Sequence, residues 1–129
     1  MKYLLDVNTL VALGNGSHTA HPVAERWLER VQKTNATLAS CALTELGFVR
    51  VSVQAGLLPD IATARRVLAQ MKASVDIVLL PDALGIDKLP SYVKTPAQLT
   101  DGHLLSLAAV HGAKLATLDS KIPGAERIT

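Results

Sequence analysis

The chain has 129 residues, of which 49% are apolar and 19% charged, and its formal net charge is +2. This length suits one domain, and the apolar fraction excludes a largely disordered chain. A single cysteine, Cys41, excludes an intrachain disulfide framework and a multi-cysteine zinc site. No apolar run reaches the roughly 18 residues that span a bilayer. We therefore expect a single domain over residues 1–129, cytoplasmic and without a membrane partner.

The first forty residues alternate strand and helix patterns. Residues 2–5 form a short apolar run that predicts a buried strand, and residues 9–13 predict a short helix. Pro22 suits the first turn of a second helix, in which apolar residues recur at helical spacing. Residues 37–39 predict the second strand.

The middle of the chain predicts two helices and a strand. Ser40 can cap a helix that runs to about residue 53. The apolar stripe expected on that helix is Ala42, Leu46, Val49 and Val53. Another helix follows Asp60, and residues 76–81 predict the third strand. Residues 82–95 are ambiguous, although residues 84–89 allow a short helix.

The last third predicts one helix and two strands. The helix ends near Gly112 and starts either at the capping-box pattern that opens with Thr95 or later, at Thr100. Residues 114–118 predict a fourth strand, and residues 125–128 a short edge strand. This alternation is typical of the α/β class, with a parallel sheet and helices on both of its faces.

Four acidic side chains occupy predicted strand ends or inward helix flanks. They are Asp6, Glu45, Asp101 and Asp119. Asp6 and Asp119 directly follow apolar strands, and open parallel sheets bind ligands beyond those strand ends. Asp101 shares a helix face with Leu104 and Ala108, where an unpaired carboxylate is costly. Glu45 lies about 60° from its helix's apolar stripe.

Each of these acids, taken alone, has a purely structural alternative. Asp6 could cap the next helix, and Glu45 could lie on a solvated flank. Asp101 could be an acid of the first helical turn, where the helix dipole favours negative charge, and Asp119 could shape a turn. Together these alternatives weaken, because the sequence shows no set of inward arginines or lysines to pair all four acids. Clustered carboxylates favour a cation, and an all-oxygen set favours Mg²⁺ or Mn²⁺ over zinc. Such ions assist phosphodiester hydrolysis.

Four segments that contain these acids resemble the motifs of the PIN-domain family. They are residues 6–13 with the following His21-Pro22, residues 44–50, residues 100–108 and residues 115–119. In order and spacing they cover nearly the whole chain, and the most similar group is the VapC-type toxins of bacterial and archaeal toxin–antitoxin pairs. The resemblance implies a PIN-like, three-layer α/β/α sandwich around a mainly parallel sheet. It also implies a Mg²⁺- or Mn²⁺-dependent endoribonuclease whose products carry a 5′-phosphate and a 3′-hydroxyl.

The same resemblance implies roles for individual residues. Asp6, Glu45, Asp101 and Asp119 fall on the family's catalytic, metal-binding acids. Asn8 matches a polar residue that orients the first acid, and Thr117 matches a hydroxyl that hydrogen-bonds a carboxylate or water. Expected partners are an RNA substrate, a small VapB-type antitoxin that blocks the site, and a second copy of the chain. Among basic residues, Arg50 is the candidate substrate contact because it lies in the second motif.

Other basic residues and one glycine have simpler interpretations. Two clusters, Arg26, Arg30 and Lys33 and then Arg65, Arg66 and Lys72, are expected to be solvated helix faces. His103 lies two residues from Asp101 and does not share its face, so a histidine ligand is not expected. Gly102 should loosen its helix by about 1 kcal/mol.

Three alternative functions remain open at this stage. Residues 6–9 partly match the first motif of haloacid-dehalogenase phosphatases, but the second acid of that motif is missing. A receiver-type signalling domain shares an acidic rim, yet it needs adjacent acids after the first strand, where Asp6 is flanked by Leu5 and Val7. The third alternative is a non-catalytic PIN-like module that binds RNA or a partner, although the presence of all four acids argues against a decayed site.

Overall fold

Five parallel strands form one sheet in the order β3-β2-β1-β4-β5 in the computed structural model, which describes residues 1–129. The strands are β1 Lys2–Leu5, β2 Thr37–Cys41, β3 Ile77–Leu80, β4 Lys114–Thr117 and β5 Glu126–Arg127. The helices are α1 Val7–Gly14, α2 His21–Gln32, α3 Ala42–Gln54, α4 Ile61–Ser74 and α5 Leu99–Val110. Short 3-10 helices cover Ile86–Lys88 and Pro96–Gln98. None of these helices has the length and apolar character needed to cross a membrane.

The strand order reverses direction between β1 and β4, which pair with Leu5 opposite Ala116. Ligands of open parallel sheets bind at such a reversal, beyond the carboxyl ends of the two strands. The order also differs from the 2-1-3-4-5 order of flavodoxin-like folds, which removes the receiver-domain alternative. The parallel sheet predicted from the sequence is confirmed, and the reversal positions the site described below.

Two hydrophobic cores lie on opposite faces of the sheet. On one face, residues of α1 to α4 pack together, with Trp27, Phe48 and Leu68 at the centre. On the other face, α5 packs through Leu104 and Leu107. Successive residues of β1 point to opposite faces, because Leu4 belongs to the second core and Leu5 to the first. The three-layer α/β/α arrangement is therefore confirmed.

The apolar stripe predicted for α3 is wrong at Ala42 and Leu46, which are exposed, whereas Val49 and Val53 are half-buried against the first core. The residues that α3 buries are Thr44, Gly47, Phe48 and Ser52, whereas Leu46 is 66% exposed. The reason is close packing against α1: a Cβ at Gly47 would lie 2.5 Å from Val7 Cγ2. Ser52 Oγ also accepts a hydrogen bond from Asn15 Nδ2 at 3.2 Å. The buried face of α3 therefore combines one large apolar side chain, Phe48, with small and hydroxyl-bearing ones.

Several element boundaries also differ from their prediction. α1 begins at Val7, because Asp6 accepts a hydrogen bond from the Val7 N–H and caps the helix. The residue that caps α3 is Cys41 and not Ser40. The start predicted at Thr95 is confirmed in part, since its capping box opens a 3-10 helix that continues into α5. The alternative start at Thr100 is wrong, because Thr100 lies inside α5, which begins at Leu99. The short helix allowed over residues 84–89 is one 3-10 turn.

Candidate active site

Asp6 stands at the end of β1, at the reversal of the strand order, and is only 5% exposed. Its Oδ1 accepts a hydrogen bond from the Val7 N–H at 2.8 Å, and its Oδ2 accepts one from the Thr117 hydroxyl at 2.7 Å. The capping alternative for Asp6 is thus true, yet it occupies only one oxygen. The other oxygen is held by the neighbouring strand, so this carboxylate is fixed from two directions.

The Thr117 hydroxyl is the centre of a small buried network. While it donates to Asp6, it accepts hydrogen bonds from Asn8 Nδ2 at 3.2 Å and from the Asp119 N–H at 3.1 Å. Asn8 Oδ1 in turn accepts from the Leu118 N–H at 3.2 Å. The network joins the end of β1, the start of α1 and the end of β4. Asn8 and Thr117 therefore lie where the resemblance expected them, around the first acid.

Asp101 and Asp119 lie within electrostatic reach of Asp6 and of each other. Burial raises the pKa of Asp6, its hydrogen bonds from Thr117 and Val7 lower it, and the charge of Asp119 raises it again. Burial likewise raises the pKa of Asp101, and the charges of Asp6 and Asp119 add to that effect. None of the three forms an ion pair with a basic residue. The fold thus gathers negative charge here without compensating it.

The three acids differ in how firmly they are held. Asp119 Oδ1 accepts a hydrogen bond from the Lys121 N–H at 2.8 Å, so Asp119 also shapes the turn after β4. Asp101, in the first turn of α5, is half-buried and engages no hydrogen-bond donor. As the side chains are placed, no three His, Cys, Asp or Glu residues converge closely enough to hold one metal ion. The donor set, three uncompensated carboxylates, nevertheless suits a hard cation.

Glu45 belongs to a different set of contacts. Its Oε2 accepts a hydrogen bond from Ser40 Oγ at 2.5 Å and forms an ion pair with Lys72 Nζ at 2.7 Å. The expectation that Lys72 is simply solvated is therefore wrong, as is the solvated-flank alternative for Glu45. Ser40 follows Ala39, which pairs with Leu4 of β1, so Glu45 is anchored at the strand end next to Asp6. Glu45 is not among the groups that shift the pKa of Asp6 or Asp101.

A wide groove runs between α3 and α4, and Glu45 is among the residues that line it. We call it the α3–α4 groove; its volume is about 920 Å³. Its lining includes Leu46, Val49, Val53, Ile61, Leu68 and Leu79, with Arg50, Arg65, Lys72 and Glu45 among them. Arg50 and Glu45 both border the groove although they lie five residues apart on α3. The groove therefore joins an exposed apolar floor to a mainly basic rim.

Sequence reasoning missed three residues near these acids. Ser40 and Lys72, which hold Glu45, come from β2 and α4, and no local pattern links them to it. Tyr92 lies in the segment that was ambiguous, and its hydroxyl is buried without a hydrogen-bond partner. The ring of His103, for which no ligand role is expected, bonds to the Asp82 carboxylate.

Comparison with known proteins identifies the family. A family model described as PIN domain matches residues 3–127. Ribonuclease VapC38 of Mycobacterium tuberculosis (strain ATCC 25618 / H37Rv) is 44% identical over 92% of this chain and 86% of its own length. Ribonuclease VapC39 of the same strain is 35% identical over 95% of this chain and 91% of its own length.

A solved structure shows the same fold at lower identity. It is the crystal structure of VapBC2 from Rickettsia felis bound to a DNA fragment from their promoter, with a TM-score of 0.64 and 19% identity. The match covers 97% of this chain and 96% of that chain. Together with the arrangement of Asp6, Asp101 and Asp119 at the β1–β4 reversal, these similarities show that the chain belongs to the PIN-domain family and, within it, to the VapC ribonucleases.

Proposed function

We propose that this protein is a Mg²⁺- or Mn²⁺-dependent endoribonuclease, the toxin of a toxin–antitoxin pair. The observation that carries the proposal is the uncompensated negative charge at the β1–β4 reversal, where burial and mutual repulsion raise the pKa of Asp6 and Asp101. The relatives named ribonuclease VapC support the choice of RNA as substrate.

Asp6, Asp101 and Asp119 are the residues that we propose would hold the ion. The Thr117 hydroxyl and the Val7 N–H orient Asp6, while Asp101 brings a carboxylate that no protein donor occupies. When bound, a divalent ion lowers the pKa of water and offsets the charge that develops on a phosphodiester during hydrolysis. Glu45, held by Ser40 and Lys72 at the end of the neighbouring strand, is the fourth acid of the proposed site.

Arg50 is the proposed RNA contact outside the acidic cluster. Arg50 is exposed and lines the same groove as Glu45, so its guanidinium can meet a phosphate of a strand that leaves the site. Phosphate contacts of this kind position a nucleic acid without reading its sequence.

The cleavage proposal is tested with the purified protein, freed of any bound partner and incubated with total RNA in Mn²⁺, Mg²⁺ or EDTA. We expect fragments with 5′-phosphate ends in the metal-containing reactions only, and their loss in Asp6→Asn and Asp101→Asn. Asp87→Asn is the matched control, because Asp87 is exposed and reaches only Lys88, at 3.9 Å.

Absence of cleavage by folded, Mn²⁺-binding wild-type protein would contradict the proposal. Tight RNA binding under those conditions would favour the non-catalytic binding module, and turnover of a small phosphomonoester would favour the phosphatase alternative.

The α3–α4 groove is the surface on which we propose that the antitoxin binds. Leu46 and Ile61 are large apolar side chains that the folded chain leaves exposed. The rim carries three basic residues against one acid. An amphipathic segment with acidic residues is complementary to both properties, and it would end next to Glu45. We also propose that the protein acts in the cytoplasm as a homodimer. Sedimentation equilibrium of the isolated chain would test whether it dimerises.

Leu46→Asp tests whether the antitoxin binds in the α3–α4 groove. Since Leu46 is 66% exposed, its replacement should leave the fold unchanged while weakening binding of the cognate antitoxin by about tenfold or more. Ile86→Asp is the control, because Ile86 is also highly exposed but lies outside the groove. Equal antitoxin affinity of both variants, measured by calorimetry, would place the antitoxin elsewhere.

A further inference from the structure

The Tyr92 hydroxyl is a buried polar group that the protein leaves without a hydrogen-bond partner. Such groups are rare, and each needs an explanation, because a hydroxyl that loses water without gaining a partner is destabilising. Tyr92 lies in the irregular segment between two 3-10 helices, where no regular backbone pattern requires a tyrosine.

The segment that contains Tyr92 packs against Gly102, near the start of α5. A Cβ at Gly102 would lie 2.3 Å from Val93 Cγ2 and within 3.6 Å of atoms of Pro90 and Leu89. The glycine is therefore required by a close approach of chain segments, which explains a residue that otherwise only weakens the helix. The contact places this segment against the first turn of α5, the turn that also carries Asp101.

The surroundings of the hydroxyl are acidic. Burial raises the pKa of Tyr92, and the charges of Asp101 and Asp119 raise it further. The hydroxyl therefore stays protonated near neutral pH and can act as a donor. It does not serve to support either acid, since neither carboxylate accepts a hydrogen bond from it.

We propose that the Tyr92 hydroxyl donates a hydrogen bond to a phosphate oxygen of the RNA bound at Asp6, Asp101 and Asp119. This inference rests on the proposed function. The substrate supplies the acceptor that the buried hydroxyl lacks, and the contact adds a neutral donor to a site whose other proposed members are carboxylates. Tyr92 is then a substrate-binding residue, and it belongs to the segment that packs against Gly102.

Tyr92→Phe tests the contact, with Tyr3→Phe as the matched control. Both changes remove one hydroxyl, and Tyr3 lies on β1 with its ring packed edge-on against Trp27 at 5.2 Å between centroids. We expect Tyr92→Phe to lower single-turnover cleavage in Mn²⁺ by about 10- to 100-fold. Its Mn²⁺ affinity, measured by calorimetry without RNA, should stay within about twofold of wild type, and Tyr3→Phe should match wild type in both measurements.

Two results of this experiment would overturn the proposal. One is cleavage by Tyr92→Phe at the wild-type rate. The other is a loss of Mn²⁺ affinity that parallels the loss of cleavage, because the hydroxyl would then act through the metal site and not through RNA.

Gly102→Ala supplies a second test, because it disturbs the contact between Gly102 and Val93. Its Cβ should displace Val93 and with it Tyr92, so cleavage should fall by a similar factor while circular dichroism stays unchanged. In the double variant with Tyr92→Phe the two losses should not multiply, because both remove the same contact. Fully multiplicative losses would contradict the link between Gly102 and Tyr92.

A measurement of RNA affinity tests the Tyr92 contact independently of the proposed nuclease activity. The affinity is measured by fluorescence anisotropy on Asp6→Asn protein, with and without Tyr92→Phe. If the wild-type protein cuts no RNA, the nuclease proposal fails and the affinity measurement alone decides on Tyr92. Weaker RNA binding after removal of the hydroxyl supports the contact, and equal binding overturns it.

Discussion

At the residue scale, one buried hydroxyl governs the geometry of the site. Thr117→Val keeps the shape of the side chain but leaves Asp6 Oδ2, Asn8 Nδ2 and the Asp119 N–H without their shared partner. We expect a loss of about 1–3 kcal/mol in the free energy of unfolding. Because the Thr117 hydrogen bond lowers the pKa of Asp6, its removal should also shift the pH at half-maximal Mn²⁺ binding upward.

Thr117→Ser is the matched control, since it retains the hydroxyl and loses only a methyl group, worth about 1 kcal/mol. Calorimetric Mn²⁺ titrations across pH compare the two variants. Equal upward shifts in both would show that the hydroxyl does not set the behaviour of Asp6.

At the element scale, the contact of α1 with α3 determines where Glu45 lies. Gly47 on α3 faces Val7 on α1, and Gly14 at the end of α1 faces Phe48, with Cβ positions 2.5 Å and 2.6 Å from the opposing carbons. Gly47→Ala should push the helices apart and lower the free energy of unfolding by about 1–3 kcal/mol, although alanine normally favours a helix.

Gly16→Ala is the control for that measurement, because an added Cβ at Gly16 meets nothing within 4 Å. Urea denaturation of both variants provides the comparison. A stabilised Gly47→Ala protein would mean that α3 can shift without loss, and the close approach would then have no role in placing Glu45.

At the scale of the whole molecule, the acidic site makes stability depend on pH. The folded protein raises the pKa of Asp101 above its ordinary value of 3.8, so the folded state binds a proton more readily than the unfolded state. Its contribution to stability is complete below pH 3.8 and is lost as pH rises through the folded pKa. In EDTA at neutral pH, Asp101→Asn should therefore raise the Tm, by about 2 °C, and the gain should vanish at low pH.

Mn²⁺ should reverse this order, because it stabilises the folded wild type by binding and has less effect on Asp101→Asn. Differential scanning calorimetry in EDTA and in Mn²⁺ measures both effects, with Asp87→Asn as the control. A Tm difference that does not change with pH would exclude charge repulsion as its cause.

Alternation of short apolar runs with helical patterns was enough to predict the parallel sheet, and the acids after β1 and β4 were predictable because parallel strands end on the same edge. The buried face of α3 was not, since three of its four buried residues, Thr44, Gly47 and Ser52, carry no hydrophobic signal and leave Phe48 as the only apolar marker. The ion-pair partner of Glu45 could not be predicted from the sequence either. Lys72 is on another helix, and only the packing of α3 against α4 brings its ammonium to the carboxylate.

The route of the chain through the sheet has a consequence for synthesis. Asp6 and Thr117 are separated by 111 positions and meet only because β4 pairs with β1. During translation the first acid is therefore made long before its hydrogen-bond donor, and a nascent chain that still lacks β4 has no assembled site. The ribosome must therefore make the chain as far as β4 before the proposed activity against RNA can exist.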